Sequence, residues 1–413
     1  MPGAIRFFTR TLLVSATLLP ASLWAAGAAP TQVRQAVTAE RAAVIDTITT
    51  ITRIESGSSH RPGLDALASV LADRLTGLGA KVERTRIEPG GGEVVVGRLT
   101  GRGSKAVMLI AHYDTVHPAG ILQTEPVRTE GNRLYGPGVA DSKGGIGLML
   151  HAVQVLQRLG EAPWGRLTLL FNPDEETGSR GSGPIIQQLA AGHDTVLSFE
   201  PTLAVRDSVL TGASGTANAI LEVKGRAAHA GVEPEAGRNA LIELAHQILQ
   251  LSDLSDPASG LSLNWTVARA GDARNVIPAS ATATADVRMT DMPSLARLES
   301  TVRERIARRR IADTEVSFRI DINRPPFKGD ARTEALVAQA RALYGELGLS
   351  LNVIGTTGGG TDAGYAQAGG RAGVLESLGM PGMGFHARPE WIDLDKIEPR
   401  LYLTVRMIQE TSR

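Results

Sequence analysis

The sequence predicts an α/β protein: a mainly parallel sheet with helices on both faces, interrupted by an inserted α+β unit with an antiparallel sheet. Three observations predict it. Short apolar strands alternate with amphipathic helices through the first half of the chain. The acidic and imidazole residues His112, Asp114, Glu175, Glu176 and Glu200 arrive as apolar strands end. From about Ser214 the texture changes to the in-and-out alternation of antiparallel strands, and helix–strand alternation returns near Thr333.

Taken in order, residues 33–54 read as a helix, and a clearer one carries Leu64, Leu67, Leu71, Leu75 and Leu78 at steps of three and four before stopping at Gly79. The strands KVERTRI, EVVVGRL and AVMLIAHYD follow. A glycine-rich loop, YGPGVADSKGG, leads into a helix over 144–159 with Ile146, Met149, Leu150, Val153 and Leu156 on its apolar positions. The strands RLTLLFNPDEE and DTVLSFEP flank a helix over 182–191. In the insertion, TANAILEVKGRAAHAG, LSLNWTVARAG and SATATADVRMT read as strands, with helices over 239–251 and 292–308 between them. NRPPFKG marks the return, and the chain ends in a helix. The expected organisation is a first part of the α/β domain over 29–213, an insertion over 214–328 and a second part of the α/β domain over 329–413.

Composition narrows the function. A chain of 413 residues exceeds what one core usually spans. Lys+Arg and Asp+Glu both number 43, so no charge excess points to nucleic acid or an anionic membrane, and a small molecule or peptide is the expected partner. The absence of cysteine excludes disulfides, thiol catalysis, thiolate metal sites and a lipidated cysteine. Arg6 and Arg10, an apolar stretch broken by Pro20 and small residues up to Ala28 read as a secretory leader over residues 1–28 rather than a membrane anchor. A periplasmic or secreted mature chain is the corresponding expectation.

The chemistry begins in LIAHYDTVHP. His112 and Asp114 lie two residues apart at a strand end, so their side chains leave on one face, as a metal ligand and its orienting partner would. Glu175 and Glu176 end the next such strand, Glu200 a third, and Asp141 sits in the glycine loop between them. Sheets of this kind place their sites at the carboxyl ends of strands. Imidazole and carboxylates together suit a pair of zinc ions about 3.5–4 Å apart, with a bridging carboxylate that Asp141 could supply. Neighbouring side chains leaving a strand diverge, so Glu176 is assigned to metal and Glu175 to proton transfer as general base. Taken singly, each feature has a plainer reading: a structural histidine, a solvated DEE turn, a glutamate before a proline. His60, His117, His151, His193 and His246 are left as ordinary residues.

The motifs HYDTV, YGPGVADSKGG, FNPDEETGSRGS, SFEPT, GRAAHAG, NVIPASATATADVR, GGGTDA and GFHARPEWID, in this order over nearly the whole mature chain, resemble the M20 metallopeptidases, and among them the glutamate carboxypeptidases. The resemblance implies two zinc ions per subunit: one on His112, Asp141 and Glu200, the other on Asp141, Glu176 and His386. It also implies a cis peptide between Asp141 and Ser142, Asp114 orienting His112, and an insertion that forms a homodimer. It further implies His229 as the group that steadies the oxyanion and Arg288 as the grip on the substrate's terminal carboxylate, with Asn275 and Gly360 as further substrate contacts. The segment PTLAVRDSVLTGAS departs from expectation, because Ser208 and Leu210 stand where a basic residue would suit a glutamate side chain and only Arg206 is near. The resulting reading is an exported di-zinc carboxypeptidase acting on a small peptide or N-acyl amino acid, with a C-terminal glutamate favoured. An N-acyl amino-acid deacylase or dipeptidase is the alternative within the same chemistry. An exported solute-binding protein is the alternative outside it, and that class has no use for Glu175 beside Glu176.

Overall fold

The structure, a computed structural model, describes residues 30–88 and 91–413; the segment read as a leader lies outside them. The central sheet has six strands in the order Lys81–Arg86, Glu93–Thr100, Arg166–Asn172, Ala106–His112, Thr195–Ser198 and Gly373–Leu375. The last four strands run parallel, and the first two join the edge antiparallel. Helices cover both faces. Val107, Leu109 and Ala111 point into a core shared with the helices Pro30–Thr52, Arg61–Gly77, Gly145–Arg158 and Ile397–Thr411. Met108 and Ile110 point into the opposite core, shared with Gly183–Ala190 and Ala363–Ala368.

With both faces buried, in-and-out alternation does not set the register of these strands. The polar residues at their ends do, because drawing His112 or Asn172 into the layer would bury unpaired polar groups at a cost of about 1–3 kcal/mol each. His112 is accordingly level with Asn172, and Ile110 with Ser198. That register brings the residues just past each strand, Glu175, Glu176 and Glu200, to the same rim as His112.

The insertion has a core of its own. Its antiparallel sheet runs Ser262–Ala270, Ser280–Met289, Gly215–Lys224 and Glu315–Arg324, and alternate residues such as Ala217, Ala219, Leu221 and Val223 pack under the helices Ala240–Gln250 and Met292–Arg305. Asn239 caps the first of these helices, accepting from the N–H groups of Leu241 and Ile242, and Asp291 caps the second through Ser294.

Two small sheets escape sequence reading. Ser208–Ala213 pairs with Asn352–Thr357 and Phe327–Lys328, so the segment after Glu200 is a strand rather than a loop. A second sheet joins Arg128–Glu130, Arg133–Tyr135, Trp391–Asp393, Pro381–Met383 and Thr202–Leu203. Strands this short carry no readable periodicity. Each of three lies next to a candidate ligand: one leads to the Asp141 loop, one follows Glu200, and the turn joining the strands Pro381–Met383 and Trp391–Asp393 carries His386.

Candidate metal centre

Five side chains converge where the central sheet and the short-stranded sheet meet. They form two groups, His112, Asp141 and Glu200, and Asp141, Glu176 and His386, each with its ligand atoms within 4.8 Å of one another. Asp141 belongs to both. His112 Nε2 is 2.9 Å from one Asp141 oxygen and 3.5 Å from Glu200, while His386 Nε2 is 3.3 Å from the other Asp141 oxygen and 2.9 Å from Glu176. The peptide between Asp141 and Ser142 is cis. His386 is exposed and takes a φ of 58°, a left-handed conformation that a non-glycine residue adopts rarely and more often at functional sites.

Asp114 performs two tasks. His112 Nδ1 faces the Asp114 carbonyl at 3.1 Å and its carboxylate at 3.3 Å, which fixes this nitrogen as a donor and turns Nε2 toward Asp141 and Glu200, where it would be the nitrogen to bind a cation. The same carboxylate accepts the backbone N–H groups of Glu175 and Glu176 and the hydroxyl of Ser58. It thereby ties the first histidine to the DEE turn.

Charge in the cluster is poorly compensated. Burial pushes the carboxyls of Glu200 and Glu176 upward. Burial opposes a charge on His112, yet Glu200, Asp114 and Asp141 drive its imidazole well up, and hydrogen bonds to Asp141 and Glu176 raise His386 to about 10. Asp141 is held low against its burial by the same two imidazoles. Acids and imidazoles here compete for a few shared protons at short range, an arrangement that divalent cations relieve. Nitrogen and oxygen donors sharing one bridging carboxylate fit two such ions.

Glu175 stands beside the groups without joining either. It is buried, and Arg324 donates to its Oε1 at 2.5 Å and to its backbone carbonyl. Burial pushes this carboxyl up to about 8, with Arg324 pulling the other way. Arg324 is a residue that sequence reading missed. It ends the last strand of the insertion, and no local pattern connects NRPPFKG to a glutamate so far away in the chain. Gly360 belongs to this neighbourhood, since a Cβ there would lie 2.9 Å from Arg324 Cδ.

The remaining candidates lie on the insertion and touch no ligand of the cluster. His229 and Asn275 share one short ribbon, where His229 pairs with Val276 and the Asn275 carbonyl accepts from Ala230. His229 Nδ1 accepts the N–H groups of Gly231 and Val232, both at 3.1 Å, so its Nε2 is the protonated, outward nitrogen. Arg288 is half-exposed and makes two bonds to Asp286. Ser208 is buried against Thr202, Arg206 is exposed, and Leu210 is half-buried. The histidines left as ordinary at 151, 193 and 246 bond to Glu40 and Thr47, to Leu189 and Thr168, and to the Arg308 carbonyl respectively.

Residues 108–410 match the family model described as Peptidase family M20/M25/M40. Carboxypeptidase G2 of Pseudomonas sp. (strain RS-16) is 41% identical over 399 residues, covering 94% of this chain and 95% of its own. Succinyl-diaminopimelate desuccinylase of Gluconobacter oxydans (strain 621H) is 30% identical over 327 residues, covering 73% of this chain and 81% of its own. Among solved structures, the Bacillus subtilis YXEP protein, described as a dinuclear metal binding peptidase from the M20 family, superposes with a TM-score of 0.64 at 14% identity over 91% of this chain and 99% of its own.

Proposed function

Because the chain belongs to peptidase family M20/M25/M40 and is a metallocarboxypeptidase of that family, we propose that it uses two zinc ions to hydrolyse the amide bond before a C-terminal amino acid, with glutamate favoured. The observation that carries this reading is the pair of ligand groups sharing Asp141, with Glu175 beside them and bonded to neither. His112, Asp141 and Glu200 would hold one ion, and Asp141, Glu176 and His386 the other. When bound, such ions acidify water and polarise the scissile carbonyl.

The chain's own residues supply the rest. Arg324 holds Oε1 of Glu175, leaving Oε2 to take the proton of the attacking water and return it to the leaving amine. Asp114 keeps that carboxylate in place through the backbone of the DEE turn. His229, whose outward nitrogen is the donor, suits a developing oxyanion. Arg288 offers a planar fork to the substrate's terminal carboxylate once Asp286 yields it.

His229 and Asn275 sit on a short ribbon of the insertion and bond only to neighbours within it, which favours a homodimer that would bring them to a partner's cluster. Leu241, Ile242 and Leu249 are exposed on the helix Ala240–Gln250, and Val267 is exposed on the edge strand Ser262–Ala270, whose outer side is unpaired among the described residues. Sedimentation of the purified protein should give twice the chain mass, and a strict monomer at micromolar concentration would remove this role from the insertion.

Arg288→Ala is expected to raise KM about tenfold or more with a smaller change in kcat, since a lost carboxylate grip weakens ground state and transition state together. An unchanged KM would place Arg288 outside the pocket. For the activity itself, zinc content should be measured alongside release of free glutamate from a folate. The absence of a basic side chain at Ser208 and Leu210 keeps a second reading in play, an N-acyl amino-acid deacylase. Preferential hydrolysis of N-acetyl or alanyl substrates over glutamyl ones would favour it.

A further inference from the structure

Glu390 takes no part in the reading above, yet it joins the two segments that meet at the second ligand group. It lies four residues after His386 in GFHARPEWID and is buried. Its Oε2 accepts the N–H of Gly138 at 2.7 Å, and its Oε1 accepts those of Ala140 at 2.8 Å and Asp141 at 3.0 Å. His117 Nε2 stands 3.3 Å from Oε2. The Glu390 carbonyl accepts from Gly136, and the strand that follows it, Trp391–Asp393, pairs with Arg133–Tyr135. No lysine or arginine is ion-paired with it among the described residues; the nearby Lys143 ammonium donates instead to the Ile54 carbonyl.

A buried carboxylate neutralised mainly by three peptide N–H groups of one turn is a specific clamp. Such a nest of N–H groups holds an anion only while the turn keeps its shape, and the anion in return holds the turn. Here the turn delivers Asp141, and the clamp is carried on the connection that delivers His386. As Asp114 ties His112 to the DEE turn, Glu390 ties the turn of Asp141 to the connection that bears His386.

We propose that Glu390 is a positioning residue that sets Asp141 against His386 and thereby controls the affinity of the Asp141, Glu176 and His386 group for its cation. The proposal rests on the two-metal reading. Displacing groups of this kind typically weakens metal affinity by about 10–100-fold. Glu390→Gln keeps the volume but turns an amide NH2 toward backbone donors. Glu390→Asp keeps the charge and withdraws both oxygens from the turn.

The test titrates zinc into metal-free protein against a competing chelator, for the unaltered chain, both Glu390 variants and His386→Ala. The expected result is two binding steps in the unaltered chain, with the step lost in His386→Ala weakened about 10–100-fold in Glu390→Gln and the other step changed much less. The kcat of this variant should fall at limiting zinc and recover in excess zinc, which a loss of folded protein would not do. Two unchanged steps, or equal weakening of both in proportion to a lowered Tm, would overturn the role of Glu390. If the glutamine variant does not fold, the aspartate variant decides by the same comparison. Fewer than two steps in the unaltered chain would instead overturn the two-metal reading itself.

Discussion

Glu175→Gln is expected to keep both metals and to lose about 10²–10⁴-fold in kcat, the usual contribution of a general base. The substitution is nearly isosteric. Arg324 can still donate to the amide oxygen, and Asp114 bonds the backbone of the DEE turn rather than the side chain. The ligand groups therefore have no reason to move. What disappears is the carboxylate assigned to accept the proton of the attacking water. Zinc content and single-turnover rate on a glutamyl substrate check this together. A variant that kept most of its activity would transfer the base to another residue, and one that lost metal would make Glu175 a ligand.

Asp141→Ala should have the largest effect of all, loss of both metals and of measurable hydrolysis. Asp141 is the only residue common to the two groups, with one oxygen 2.9 Å from His112 and the other 3.3 Å from His386. Its removal takes a ligand from each ion and the bridge between them. Exhaustive chelation of the unaltered chain should reproduce the loss, and added zinc should reverse it only where Asp141 is present. The metal should also stabilise the chain by mass action, by about 2.7 kcal/mol at a free concentration one hundred times its Kd, so Tm should rise with zinc in the unaltered chain and stay flat in the variant. Full activity after removal of all divalent ions would defeat the metallohydrolase mechanism.

The parts of the site legible in the sequence share one property: each is local. His112 and Asp114 declare themselves by strand alternation, Glu175 and Glu176 by adjacency at a strand end, and Asp141 by a glycine loop before a helix. His386 has no such signal. It sits in a turn between two three-residue strands, and only resemblance to a family singled it out. Arg324 and Glu390 were missed altogether, because what defines them is a partner far along the chain, Glu175 for one and the Gly138–Asp141 turn for the other.

By itself, then, the sequence determined the layered α/β architecture, the change of texture at the insertion, and which polar side chains leave each strand, since all of these follow from periodicity and turn chemistry within a few residues. The sharing of Asp141 was an expectation of the sequence; tertiary structure alone decided that Arg324 rather than solvent meets Glu175, and that a sheet of very short strands aligns the segments bearing Asp141, Glu200 and His386. The reason is physical: side-chain direction is set by each strand's own backbone, whereas the distance between two side chains on different segments is set by the register in which those segments pair and by the cores that press them together.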